Sequence, residues 1–152
     1  MTSRFAASVP TLWHGRGITR RMLARLTTGS EALVIADSAI AVSGLVGHSA
    51  RTIEMDAQTV DVDTVIMTAE DIARRRPDVI VAVGGGSILD ASKLAALTLA
   101  PGRAFEFAVQ RSSRSALTVL PDSRPPVDVV TVPTTVGTSS ETNSVGILTN
   151  DR

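Results

Sequence analysis

The chain of 152 residues contains no cysteine. Disulfide frameworks, thiolate zinc sites and thiol nucleophiles are therefore excluded from it. The same lack is compatible with a cytoplasmic protein, which is the expected location. Aromatic residues make up only 3%, with a single tryptophan, so little is available for stacking nucleic-acid bases. Charge of one sign is also missing: Lys+Arg 15 balance Asp+Glu 15. A neutral chain offers no electrostatic reason to expect nucleic acid or an anionic membrane as partner. No apolar run reaches the roughly 20 residues of a membrane span. Met1 to Pro10 shows no basic segment followed by a long apolar one, so no secretory signal is expected. What remains is a globular balance, 43% hydrophobic and 20% charged, at a length that suits one domain spanning 1–152.

Periodicity divides the chain into alternating elements. Gly15 and Gly17 precede a helical stripe of Ile18, Met22, Leu23 and Leu26, which Thr28-Gly29-Ser30 stops. Ala32 to Ala36 is a short apolar run that ends in Asp37, as expected of a strand buried on both faces. Ala39 to His48 is open between loop and short helix, and Arg51 to Met55 suits a second strand. Val65, Ile66, Ala69, Ile72 and Ala73 form one stripe of a helix over Asp63 to Arg76, closed by Pro77. Asp78 to Val83 is the clearest buried strand, and Ser87 to Leu99 is the helix after it, ended by Pro101-Gly102. Arg103 to Pro126 reads as a polar, irregular surface excursion; Asp128 to Val132 and Val145 to Thr149 read as further strands. Strands alternating with helices imply an α/β class with a mainly parallel sheet. Right-handed crossovers then gather the loops that follow the strands on one edge. Asp37, the three glycines and the Thr-rich segment all follow strands and should line one crevice.

The first chemical motif is Val83-Gly84-Gly85-Gly86-Ser87-Ile88-Leu89-Asp90. Glycine permits positive φ and lets a ligand approach the main chain. The first N–H groups of a helix lack internal partners and sit at its positive end. Together these suit a pyrophosphate. Ser87 is expected as N-cap, with Asp90 completing a capping-box spacing, and Lys93 lies one turn on, in reach of a local pair with Asp90. A tight turn that binds nothing is the competing reading of three glycines. The motif is neither Gly-x-Gly-x-x-Gly nor a P-loop.

The second motif is Val132-Pro133-Thr134-Thr135-Val136-Gly137-Thr138-Ser139-Ser140-Glu141, with five hydroxyls in seven positions from Thr134 to Ser140. Hydroxyls donate and accept, so the loop could hold phosphate, ribose or carboxamide; a solvated turn is the plain alternative. Asp37, at a strand end, is placed to accept from an adenosine ribose and to repel a 2′-phosphate, or to serve as a loop or cap residue. His14 and His48 are the only histidines. Each stands apart from any carboxylate cluster, so neither a metal pair nor a Ser-His-Asp set is expected.

Pro77 to Lys93 resembles the glycine signature of iron-containing (group III) alcohol dehydrogenases, and Val132 to Glu141 resembles their second signature, Pro-Thr-Thr-x-Gly-Thr-x-Ser-Glu. The likeness runs from about Leu12 to Asn150. It implies a Rossmann-like N-terminal domain of the dehydroquinate synthase-like superfamily that binds a nicotinamide dinucleotide. By that match Gly85, Gly86 and Ser87 would take the pyrophosphate, with Gly84 among the cofactor-binding residues. Thr134, Thr135 and Thr138 would meet the phosphate and nicotinamide side, and Asp90 would border the cleft. Asp37 stands where members that prefer NAD carry an acid, so NAD is expected over NADP. Glycerol-type dehydrogenases and cyclases such as dehydroquinate synthase share the glycine turn; the Pro133 to Glu141 motif favours the alcohol dehydrogenase branch.

The likeness has departures. His14 stands where the family usually has Phe, and Thr59-Val60-Asp61-Val62-Asp63 replaces an expected Asn-Pro-Thr turn. In the family one Asp and three His of a helical C-terminal domain bind iron or zinc. That domain is expected to be absent, beginning after Arg152, so this chain should bind no metal and be inactive alone. The leading expectation is an NAD-dependent oxidoreductase acting on a small alcohol or aldehyde, present as its cofactor-binding half. Alternatives are a non-catalytic nucleotide-binding module with a separate metal-binding partner chain, and a product whose domain-facing surface is left apolar and drives dimerisation or aggregation.

Overall fold

Two runs of apolar residues build the centre of the sheet: β1 (Ala32–Asp37) and β3 (Val79–Gly84). All of Ala32 to Ala36 and all six residues of β3 are buried, as strands covered on both faces require. The computed structural model describes residues 11–46, 50–112, 124–142 and 146, with backbone alone from 110 to 112. β2 (Arg51–Met55) flanks β1, and β4 (Asp128–Pro133) flanks β3, giving the order β2-β1-β3-β4. Every pairing is parallel.

Alternation along the strands splits the core in two. Leu33, Ile35 and Ile80 face a cluster with Val65, Ala69 and Ile72 of α2 (Val62–Arg75) and Ile88, Ala91 and Ala95 of α3 (Gly86–Ala96). Ala32, Val34, Ala36, Val79, Val81 and Val83 face Leu23 of α1 (Ile18–Leu26) and Val42. Residues 39–46 thus cover this second face as turns, with Val42 buried, and form no helix.

Local chemistry sets the helix ends. The Asp61 carboxylate accepts from Thr64 N–H at 2.8 Å and caps α2, Asp63 lies in the first turn, and Arg74 and Arg75 in the last. Both placements favour the helix dipole. The residues that stand where the family turn was expected are thus used to start α2. Arg76 leaves the helix at φ 49, directly before Pro77. Asp78 then ties two strand entrances together: its N–H donates to Glu31 O and its Oδ2 accepts from Glu31 N–H, both at 2.9 Å.

The chain after α3 departs from expectation. The α-helix ends at Ala96, and Leu97–Leu99 tighten into a 3₁₀ turn. After a second turn, where Gly102 takes φ 74, α4 (Ala104–Ser112) begins inside the stretch expected to be irregular. Ala104, Phe105 and Ala108 are buried, and Phe105 joins the α2–α3 core. The apolar positions i, i+1 and i+4 suffice for one helical stripe. They were masked by averaging with the Pro-rich segment that follows. Except for Gly146, the expected strand Val145 to Thr149 lies outside the described residues.

Candidate functional site

The sheet order creates a switch point. From β1 the chain crosses outward to β2, then returns past β1 to β3, so connections diverge on either side of the β1–β3 pair. In open parallel sheets the crevice beyond the strand C-termini at such a point is where ligands bind. Ala36 pairs with Val83 and Gly84 with Pro133. Asp37, the glycine turn and the Thr-rich loop therefore leave the sheet at one level on one edge, as the sequence implied.

The glycine turn works through size. None of Gly84, Gly85 and Gly86 has positive φ, contrary to one expected reason for glycine. A Cβ on Gly84 would come within 2.8 Å of Ile88 Cβ, so Gly84 lets α3 pack close to its strand. A Cβ on Gly85 would lie 3.3 Å from Thr135 Oγ1; one on Gly86 would lie 3.2 Å from Thr138 Cγ2 and 3.4 Å from Ser140 Oγ. The missing side chains of one motif are thus the space into which the other folds. Positive φ is used elsewhere, at Gly137 (φ 91) and Ser139 (φ 56), where the Thr-rich loop turns back.

The N-cap of α3 is Gly85, without a side-chain cap, in place of the expected Ser87. The chain enters the helix earlier than the capping box implied, so Ser87 lies in the first turn and is exposed. The first α3 N–H groups have no intrahelical partner, as helix geometry requires. The first helical bond runs from Leu89 N–H to Gly85 O at 3.1 Å. Asp90, the other half of the expected box, is buried and pairs with Lys93 Nζ at 2.8 Å.

The Thr-rich loop continues β4 and is tied to the glycine turn. Thr134 N–H donates to Gly84 O at 3.0 Å, and Lys93 Nζ donates to Ser140 O at 3.0 Å. Residues 134–139 are exposed, Val136 fully, whereas Ser140 is buried. Thr135 and Thr138 lie against Gly85 and Gly86 at the start of α3, and with Thr134 they are exposed. The expected Asp90–Lys93 pair is present; the contact of Lys93 with Ser140 is what sequence reasoning missed. Their shared motifs were visible, but a contact across 47 residues leaves no periodic signal.

Asp37 is half-buried at the end of β1. Its Oδ1 accepts from Ala39 N–H at 3.0 Å, and Ser38 N–H donates to Met55 O at 2.8 Å. The carboxylate is thereby held at the end of β1 by an Asx turn. His14 is exposed, and His48 lies outside the described residues. Among the described residues no group of three His, Asp or Glu could hold a metal, and no helix is long and apolar enough to cross a membrane. A separate cleft of about 240 Å³ lies between α1 and β4, lined by Trp13, Met22, Leu23, Val130, Val132 and Pro133 among others, and by none of the expected site residues.

Known proteins share the family signatures and the fold. Residues 10–152 match the family model for iron-containing alcohol dehydrogenase. Phosphonoacetaldehyde reductase of Streptomyces viridochromogenes is 42% identical over 79 residues, 52% of this chain and 20% of that protein. A probable alcohol dehydrogenase of Salmonella typhimurium is 30% identical over 129 residues, 78% of this chain and 31% of the relative. The fold is shared with sulfoacetaldehyde reductase of Bifidobacterium kashiwanohense, solved in complex with NAD+: TM-score 0.65, 22% identity, 93% of this chain and 41% of that one. The chain thus spans a third or less of the curated relatives it matches. With both signatures folded against each other at the switch point and the family model matched over nearly all its length, the chain belongs to the iron-containing alcohol dehydrogenase family.

Proposed function

We propose that these 152 residues are the dinucleotide-binding domain of an NAD-dependent reductase or dehydrogenase that passes hydride between nicotinamide and a small alcohol or aldehyde. The observation that carries this reading is the interlock of the two signatures: the Thr-rich loop seats against Gly85 and Gly86 and leaves an uncapped helix N-terminus beside a row of hydroxyls. Backbone N–H groups of Gly86 and Ser87 hold the pyrophosphate, where dipole and unsatisfied donors coincide. Gly84 keeps α3 close behind them. Thr134, Thr135 and Thr138 donate to the phosphate and the nicotinamide side. The half-buried Asp37 accepts from the adenosine ribose and disfavours a 2′-phosphate, while Asp90 borders the cleft. The dinucleotide, when bound, supplies the hydride; the residues here orient it.

The family's metal polarises the substrate oxygen when bound. The described residues contain no donor set that fits it, so a metal-binding region beyond them completes the reaction in this reading. Among small aldehydes, phosphonoacetaldehyde is the first to test with a complete enzyme, because the relative at 42% identity is named for it.

The test is a titration of the purified chain with NADH and with NADPH, read by nicotinamide fluorescence and by quenching of Trp13, the single tryptophan. Saturable NADH binding is expected. Asp37→Ala should narrow the preference for NADH over NADPH by roughly tenfold, about 1.4 kcal/mol. A folded chain that binds neither would overturn the reading.

A further inference from the structure

Lys93 joins two parts of the molecule that the proposed dinucleotide site needs in fixed relation. Its Nζ lies 2.8 Å from Asp90 Oδ1 on the same helix and 3.0 Å from the carbonyl oxygen of Ser140. The Lys93 and Asp90 side chains are only 19% and 8% exposed, so this charge-assisted contact is shielded from solvent and salt. Ser140 is the buried foot of an otherwise exposed loop. At the other foot, Thr134 N–H is held by Gly84 O. Both anchors belong to the β3–α3 unit, and the hydroxyl-bearing residues between them pass directly over Gly85 and Gly86.

We infer that Lys93, held in place by Asp90, is a positioning residue for the cofactor: it latches the exit of the Thr-rich loop onto α3, so that the hydroxyls of Thr135 and Thr138 stand over the helix N-terminus before ligand arrives. Lys93 touches no ligand in this role. It acts through Ser140, and the inference rests on the proposed dinucleotide site. An exposed loop fastened at one end only spends part of its time away from the crevice. Affinity then falls in proportion to the fraction still in place.

Hydrogen exchange of residues 134–142, measured without ligand, tests the latch; NADH titration tests its consequence. Lys93→Met keeps the aliphatic stem and removes the charge. Exchange over 134–142 should speed up while β1 and β3 stay protected. The NADH dissociation constant should rise about tenfold, corresponding to a loop in place about a tenth of the time. Saturating NADH should restore protection, and Lys93→Arg should recover most of the affinity, which a purely structural lesion would not allow. If Lys93→Met fails to fold, Asp90→Asn reads the same local exchange and should raise it. Unchanged exchange over 134–142 in a folded variant overturns the latch. Exchange that rises in a chain whose wild type binds no NADH would keep the latch and sink the dinucleotide reading.

Discussion

Two neighbouring strands end at the same edge in opposite ways. After β3 the chain turns through glycines so closely packed that a Cβ on Gly84 would lie 2.8 Å from Ile88. After β4 it opens into a loop whose residues 134–139 are exposed. The first region has almost no side chains and little freedom. The second has many polar side chains and is fastened at its two feet, through Thr134 and Ser140. In the proposed site this contrast would be a division of labour: the glycine turn would be the rigid part, supplying backbone donors, and the loop the adjustable part, supplying hydroxyls. The small residues of one are what let the other approach.

The contrast can be broken most severely at Gly84. Gly84→Val forces branched carbon against Ile88 in a fully buried strand end, and should destabilise the fold by about 3 kcal/mol, the upper range for overpacking. Urea denaturation would show it as a lower midpoint at unchanged slope. An unaltered midpoint would mean that α3 is not seated on β3 as described. Gly86→Val comes next. Its Cβ would lie 3.2–3.4 Å from Thr138 and Ser140 and push them away, so the chain should fold while NADH affinity drops by about tenfold or more. A folded variant with wild-type affinity would place the pyrophosphate elsewhere. The smallest effect belongs to the loop. Thr138→Ala deletes one exposed hydroxyl, so stability should stay within about 0.5 kcal/mol. Its NADH affinity should fall a few-fold, the scale of one neutral hydrogen bond, roughly 1 kcal/mol. If Thr138→Ala cost stability and Gly84→Val did not, the assignment of rigid and adjustable regions would be reversed.

Most of the framework was legible from local pattern. β1 and β3 were apparent because Ala-Leu-Val-Ile-Ala and Val-Ile-Val-Ala-Val are too short for buried helices and are bounded by polar or glycine residues. α2 was apparent from its stripe and from Pro77. Its true cap, Asp61, was instead weighed as part of a departure from the family turn, and its use became clear only from the bond to Thr64. α4 was illegible because its stripe rests on small residues and one Phe beside a long polar segment; burial against α3 and the preceding turn, not propensity, makes that helix. Ser87 was misread as a cap because a Ser three residues before Asp suits a capping box. Asp90 is instead buried and ion-paired with an ammonium group one turn away.

By itself the sequence determined the residue chemistry of the candidate site: donors without side chains at Gly84 to Gly86, hydroxyls from Thr134 to Ser140, an acid at Asp37, and no thiol anywhere. It also determined that these follow strands, because apolar runs and helix stripes are local properties that survive in any arrangement. Only the tertiary structure decided that β1, β3 and β4 lie side by side, so that three separated segments meet at one level. It alone decided that Lys93 reaches Ser140, 47 residues away. Such contacts depend on the order in which strands pair and on how closely a helix can approach its sheet. Both are settled by shape and burial across the whole core, not by any window of neighbouring residues.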